Sequence, residues 1–151
     1  MWRWLKRDEG GQSFVEVSVV SVMLILIVVI VFESGLVFSS YIVLLNASRE
    51  GAMYASSHPE LVTVATTDPD YMKYEGVVKA EARLRLFTDN LTVLRPTLVN
   101  GTSSFGDPIK VQANYACKTF TSGITLPFFG RFGLPGRDGW PISAWTIMPI
   151  R

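Results

Sequence analysis

The sequence predicts an α+β protein: one long N-terminal helix, then a small head of one helix and a roughly three-stranded antiparallel sheet. Three observations carry that expectation. Residues 17–32 hold no charge, and Ser18 and Ser21 are their only polar members. Thr67-Asp68-Pro69-Asp70 has the pattern of a helix start. Ile109, Val111, Ala113, Tyr115 and Cys117 alternate with Lys110, Gln112, Asn114 and Ala116, which is the period of a half-buried strand.

The first helix can be bounded by composition. A bilayer core of about 30 Å needs roughly 20 helical residues, and residues 17–37 supply them with Glu33 as the one charge. No proline interrupts this run or residues 40–55, where Tyr41, Leu44, Leu45, Ala52 and Ala55 fit one helical stripe. Pro59 is the expected stop. A helix over residues 12–57 measures about 69 Å, more than a membrane requires, so its second half must pack on a domain or on neighbouring subunits. Arg3, Lys6 and Arg7 precede the span, and the next basic residue is Arg49. The excess of positive charge places residues 1–11 in the cytoplasm, with Trp2 and Trp4 at the inner interface, and exports the head, residues 58–151. Asp8-Glu9-Gly10-Gly11 separates the basic residues from the apolar run, unlike a secretory signal.

Gly11 and Glu16 give that junction a chemical logic. A membrane peptidase cutting on the cytoplasmic side needs an unhindered peptide bond. Gly11 removes bulk at the bond to Gln12, and Gly10 is expected to keep the segment extended and flexible. Cleavage there makes Gln12 the new N-terminus and Glu16 the fifth residue. A carboxylate at the edge of hydrocarbon is costly without a partner. Either it pairs with the new α-amino group of an adjacent subunit and sets axial register, or it snorkels to the headgroups. Glu33 lies near the outer interface and on a different face from Glu16, so the two are no catalytic pair. It is either a contact within an assembled bundle or an interfacial residue. Ser34 and Gly35 beside it permit close helix approach.

The head follows in order. The helix that Asp68 caps is expected to run to about residue 90, burying Tyr71, Tyr74, Val77, Val78, Ala82 and Leu86, with Glu75 and Lys79 paired four residues apart. Residues 91–99 form a candidate strand that Pro96 interrupts, an edge position, and Asn100-Gly101 is a turn signal. Ile142, Ala144, Thr146 and Met148 mark a third strand. Between them, residues 121–140 make an aromatic and glycine-rich excursion. There Phe128, Phe129 and Phe132 either pack on the head, meet a partner or lie on the outer leaflet, with Arg131 and Arg137 near lipid phosphates in the last case.

Composition narrows the function classes. A net charge of +1 gives no electrostatic footprint for nucleic acid. The single cysteine, Cys117, forms no internal disulfide and reads as core, and the single histidine, His58, has no evident partners for a metal or a catalytic set. No cofactor, metal site or enzyme activity is expected.

Three blocks, Gly11-Gln12-Ser13-Phe14-Val15-Glu16, Glu33-Ser34-Gly35 and Asn46-Ala47-Ser48-Arg49-Glu50-Gly51-Ala52-Met53-Tyr54-Ala55, stand in an order and spacing that resemble the TadE/TadG-like family of tight-adherence (type IVc) pilus proteins. The resemblance implies an extended N-terminal helix, a small α+β head outside the membrane, and a role as minor pilin, pseudopilin or assembly component of an adhesive pilus. Its implied partners are the membrane, a prepilin peptidase acting at Gly11 and Gln12, and other pilus subunits that Glu16 and Glu33 would meet. The main shaft subunit of such pili is much shorter, which argues for a minor component. The alternative is a single-span, unprocessed membrane anchor carrying an extracytoplasmic binding or adhesion module.

Overall fold

Helix α1, Glu9–Ser56, is unbroken because nothing in it competes with the helical ladder: it holds no proline, and long aliphatic residues dominate. The computed structural model describes residues 9–83, 86, 88–119, 124–126, 130–132 and 139–151, with 9, 10, 12, 88, 124–126 and 130–132 described by backbone alone. Two compact units divide the chain, Met1–Gly35 and Leu36–Arg151. Trp2, Arg3, Trp4, Lys6 and Arg7 lie outside the described residues.

The start of α1 differs from expectation. Gly10 and Gly11 are helical rather than extended. Each glycine costs a helix about 1 kcal/mol relative to alanine, and the long ladder already nucleated downstream carries the extra turn.

Within Leu36–Arg151, α1 lies on the core through Leu44, Ala47, Ser48, Gly51, Ala52, Ala55 and Ser56, all buried. This is a 3.6-residue stripe made mostly of small side chains. Tyr41, expected on that stripe, is 40% exposed. The helix stops at Ser56, whose carbonyl accepts the Arg151 N–H at 2.8 Å. A short 3-10 helix, Pro59–Val62, begins at the expected proline and buries Leu61.

Helix α2, Pro69–Ala82, starts as the sequence predicts: the Asp68 carboxylate accepts the Asp70 N–H at 2.9 Å, and Pro69 fills the first turn. Tyr71, Tyr74, Val78 and Ala82 are buried, while Val77 is half-buried. Glu75 and Lys79 meet at 2.6 Å. The end is earlier than expected. The chain leaves the helix after Ala82 and makes a single 3-10 turn, Thr88–Asn90, because Leu91 must enter a sheet opposite Tyr115. Asp68→Ala is expected to cost about 1 kcal/mol, read as a lower midpoint in a urea titration of the full chain in detergent. An unchanged midpoint would mean the cap contributes nothing.

The sheet has three rows. Strand β3, Pro108–Cys117, is the centre and alternates buried and half-buried throughout. On one side lie β1, Leu91–Val93, and β2, Thr97–Leu98. Their registers against β3 differ by one residue, so the expected first strand is broken by a bulge at the buried Pro96. On the other side β6, Trp140–Pro149, pairs antiparallel along the whole of β3. Strands β4, Ile124–Leu126, and β5, Gly130–Phe132, form a separate antiparallel pair inside the excursion. Phe128, Phe129 and Arg137 fall outside the described residues, as do the side chains of Arg131 and Phe132.

The outer edge of β6 has a defined polarity. The carbonyls of Pro108 and Gln112 accept N–H groups from Val99 and Leu94, so even-numbered residues of β3 face the β1/β2 row. Their opposites across the ladder, Pro141, Ser143, Trp145, Ile147 and Pro149, therefore direct their backbone groups away from β3. Among the described residues no strand pairs with that edge.

The core joins α1, α2 and the sheet through Leu44, Tyr74, Val78, Ile109 and Val111, all at 0% exposure. Two hydrogen bonds tie its elements together. Tyr74 donates its hydroxyl to the Leu94 carbonyl at 2.9 Å, and burial pushes its pKa well up. Ser48 and Thr146 hydroxyls meet at 2.8 Å between α1 and β6.

Candidate assembly helix

Residues 11–35 of α1 form the candidate site. The side chains of residues 14–28 all face solvent, and large apolar ones such as Val20, Ile25 and Phe32 are more than 60% exposed. Over Ser13–Ser56 an 18-residue window reaches a mean hydropathy of 3.0. This is a helix long and apolar enough to cross a membrane. Two of its hydroxyls are satisfied locally, Ser18 donating to the Phe14 carbonyl and Ser34 to that of Ile30, both at 2.8 Å, the arrangement a hydrocarbon environment would demand.

Gly11 is exposed, and a Cβ built there meets no atom within 4 Å. Packing thus does not require glycine at this position; its use is in the backbone. Gly10 and Gly11 together make the first turns of α1 cheap to unwind, a different contribution from the extended segment expected. Gln12 is helical, and its side chain lies outside the described residues. Glu16 stands one turn further on, on the same face as residue 12, and is exposed. Glu33 is half-buried. It lies about 25 Å along the axis from Glu16, so the fold does not bring the two carboxylates together. Gly35 also has open space around it.

The remaining candidates are structural. Cys117 is buried, with its sulfur 3.5 Å from the Ser40 hydroxyl. His58 stacks on Tyr54 with ring centroids 4.4 Å apart, and its Nδ1 lies 3.0 Å from the Tyr54 carbonyl oxygen. Among the described residues no three His, Cys, Asp or Glu side chains gather as metal ligands. The solvent face of the sheet holds a shallow depression of about 210 Å³ lined by uncharged residues including Asn90, Thr92, Asn114 and Ser143. Sequence reading missed this row, because a cross-strand register is needed to see that Thr92, Asn114 and Ser143 are neighbours.

Residues 11–53 match the family model described as TadE-like protein. The match covers the three motif blocks almost to their end and stops short of α2 and the sheet. No curated protein and no solved structure matches the chain.

Proposed function

We propose that this chain is a pilin-like structural or assembly component, a minor pilin or pseudopilin, of a tight-adherence type pilus. It is inserted through α1 with residues 1–11 inside, a span at about residues 17–37, and the head outside. The observation that carries this reading is the conjunction at one end of a single helix: an unhindered Gly11, Glu16 at the mouth of the apolar stretch, and a solvent-facing apolar surface that needs a non-aqueous neighbour. The TadE-like match over residues 11–53 supports the pilus context.

In the proposed sequence of events a prepilin peptidase melts the glycine-weakened first turns and cuts between Gly11 and Gln12. The new amine on Gln12 is then a cation at the membrane edge. Paired with Glu16 of a neighbouring subunit, it sets axial register, a use for which a desolvated ion pair is well suited even where it adds little stability. Glu33 would make a second contact within the bundle.

Intact mass and N-terminal sequencing of protein from native membranes test this. With the peptidase present, a chain starting at Gln12 is expected; without it, a chain starting at Met1. A start at Met1 in both samples would sink the register mechanism and leave an unprocessed, single-span anchor bearing an adhesion module.

A further inference from the structure

The Arg49-Glu50 pair is the charged part of the third motif block, and the core of the fold does not use it. Ala47, Ser48, Gly51, Ala52 and Ala55 are buried beneath the sheet and α2, while Arg49 and Glu50 are exposed. The ion pairs found among the described residues, Lys73–Asp70 and Lys79–Glu75, involve neither of them. Opposite the buried stripe, a ridge of Phe38, Ile42, Asn46 and Met53 faces outward. Phe38 is 64% exposed, Met53 47% and Ile42 43%. Arg49 and Glu50 are adjacent in sequence, hence about 100° apart around the helix. They bracket its Ile42–Asn46–Met53 stretch, one on each side.

We propose that this ridge is a docking surface for a second copy of the same chain, packed in parallel, with Arg49 of each copy against Glu50 of the other. Charge decides the orientation. When two copies face each other in parallel, the Arg flank of each lies beside the Glu flank of its partner, at heights differing by about 1.5 Å. Both sides of the contact then carry an attractive pair. An antiparallel approach sets like flanks together, Arg49 against Arg49 and Glu50 against Glu50, and is repulsive on both sides. Parallel packing is also the arrangement open to two chains inserted in one membrane in the same sense. In that respect the inference rests on the membrane reading above, but it does not depend on cleavage. Exposed ion pairs contribute little each, and a single helix ridge covers less than the roughly 1,200–2,000 Å² of a stable soluble interface. The contact is therefore one that confinement in a membrane populates, by raising the effective concentration of its partner.

The test is disulfide cross-linking of the full chain in membrane vesicles through Asn46→Cys on the ridge, with Cys117 buried and out of reach. A linked homodimer is expected. Arg49→Glu alone, or Glu50→Arg alone, is expected to lower its yield about tenfold by turning attraction into repulsion. The double variant R49E/E50R restores complementarity and is expected to recover the dimer. Because it has the composition of the native chain, it keeps the result readable where a single reversal disturbs insertion. No homodimer, adducts with another protein alone, a yield indifferent to the charges, or a double variant as poor as the single ones would each overturn the proposal. A charge-dependent dimer of chains that still start at Met1 would leave it standing while removing the processing step, so the two readings fail separately.

Discussion

Gly51→Val is expected to cost the head about 3 kcal/mol or more, a large share of the roughly 5–15 kcal/mol typical of a folded domain. At Gly51 three elements converge. A Cβ built there lies 2.6 Å from Val78 Cγ2 on α2, 3.3 Å from Val111 Cγ1 on β3 and 3.4 Å from Tyr74 Cε2. Those three residues are themselves at or near zero exposure, so none can swing aside into solvent. The overpacking must be relieved by moving α1 off the sheet, which would stretch the Ser48–Thr146 hydrogen bond a turn away. Gly51→Ala is expected to cost about 1–3 kcal/mol for the first methyl alone. Gly76→Ala is the internal control. It sits in α2 with open space around it, and it should raise stability by up to about 1 kcal/mol through helix propensity. Thermal or urea unfolding of the full chain in detergent reads both. A Gly51→Ala midpoint at or above the native one would show that the close approach of α1 to α2 is wrong.

Glu16→Gln is expected to abolish incorporation into assembled structures while leaving the head's unfolding midpoint unchanged. The amide keeps the shape of the side chain, removes its charge and exchanges one acceptor oxygen for an NH2 donor. Glu16 is exposed on the unit Met1–Gly35, so the fold of the head does not rest on it. Losing one member of a desolvated ion pair costs about 3 kcal/mol or more, roughly a hundredfold in any step that contact limits. The readout is the ratio of this protein in sheared surface fractions to that in membranes. Undiminished incorporation of the amide variant would remove the ion pair from the mechanism, whatever the outcome at Gly11.

What was legible in the sequence, and what was not, divides by the range of the interactions. The start of α2 is a local transaction between Asp68, Pro69 and the next two N–H groups, and four residues announce it. Strand β3 declares itself because one face meets the core and the other does not, which imposes alternation along its whole length. The end of α2 is different. The apolar spacing continues through Leu86, which is buried, but the chain has to turn so that Leu91 can meet Tyr115, and that requirement is set by residues far along the sequence. The same holds for the slip in register at Pro96, since the proline announces an interruption but not the extra residue. The β4–β5 pair escaped notice because its strands are three residues each, and its glycines and aromatics show no alternation. At the candidate site the motif gave Gln12, Glu16 and Glu33 their places along one helix. It did not show that the glycines lie inside that helix, because a weak local preference was outweighed by a ladder nucleated far downstream.

The prolines of β6 have a consequence for the company this protein keeps. An open strand edge is an invitation to any other strand, and a crowded chain meets many. Here Pro141 and Pro149 put two positions without a donor on the outward edge, leaving Ser143, Trp145 and Ile147 as the N–H groups between them. A foreign strand laid along it would find its ladder cut short at both ends. The head is thereby insulated against growing its sheet from copy to copy, the route by which crowded β-proteins become fibres of the wrong kind.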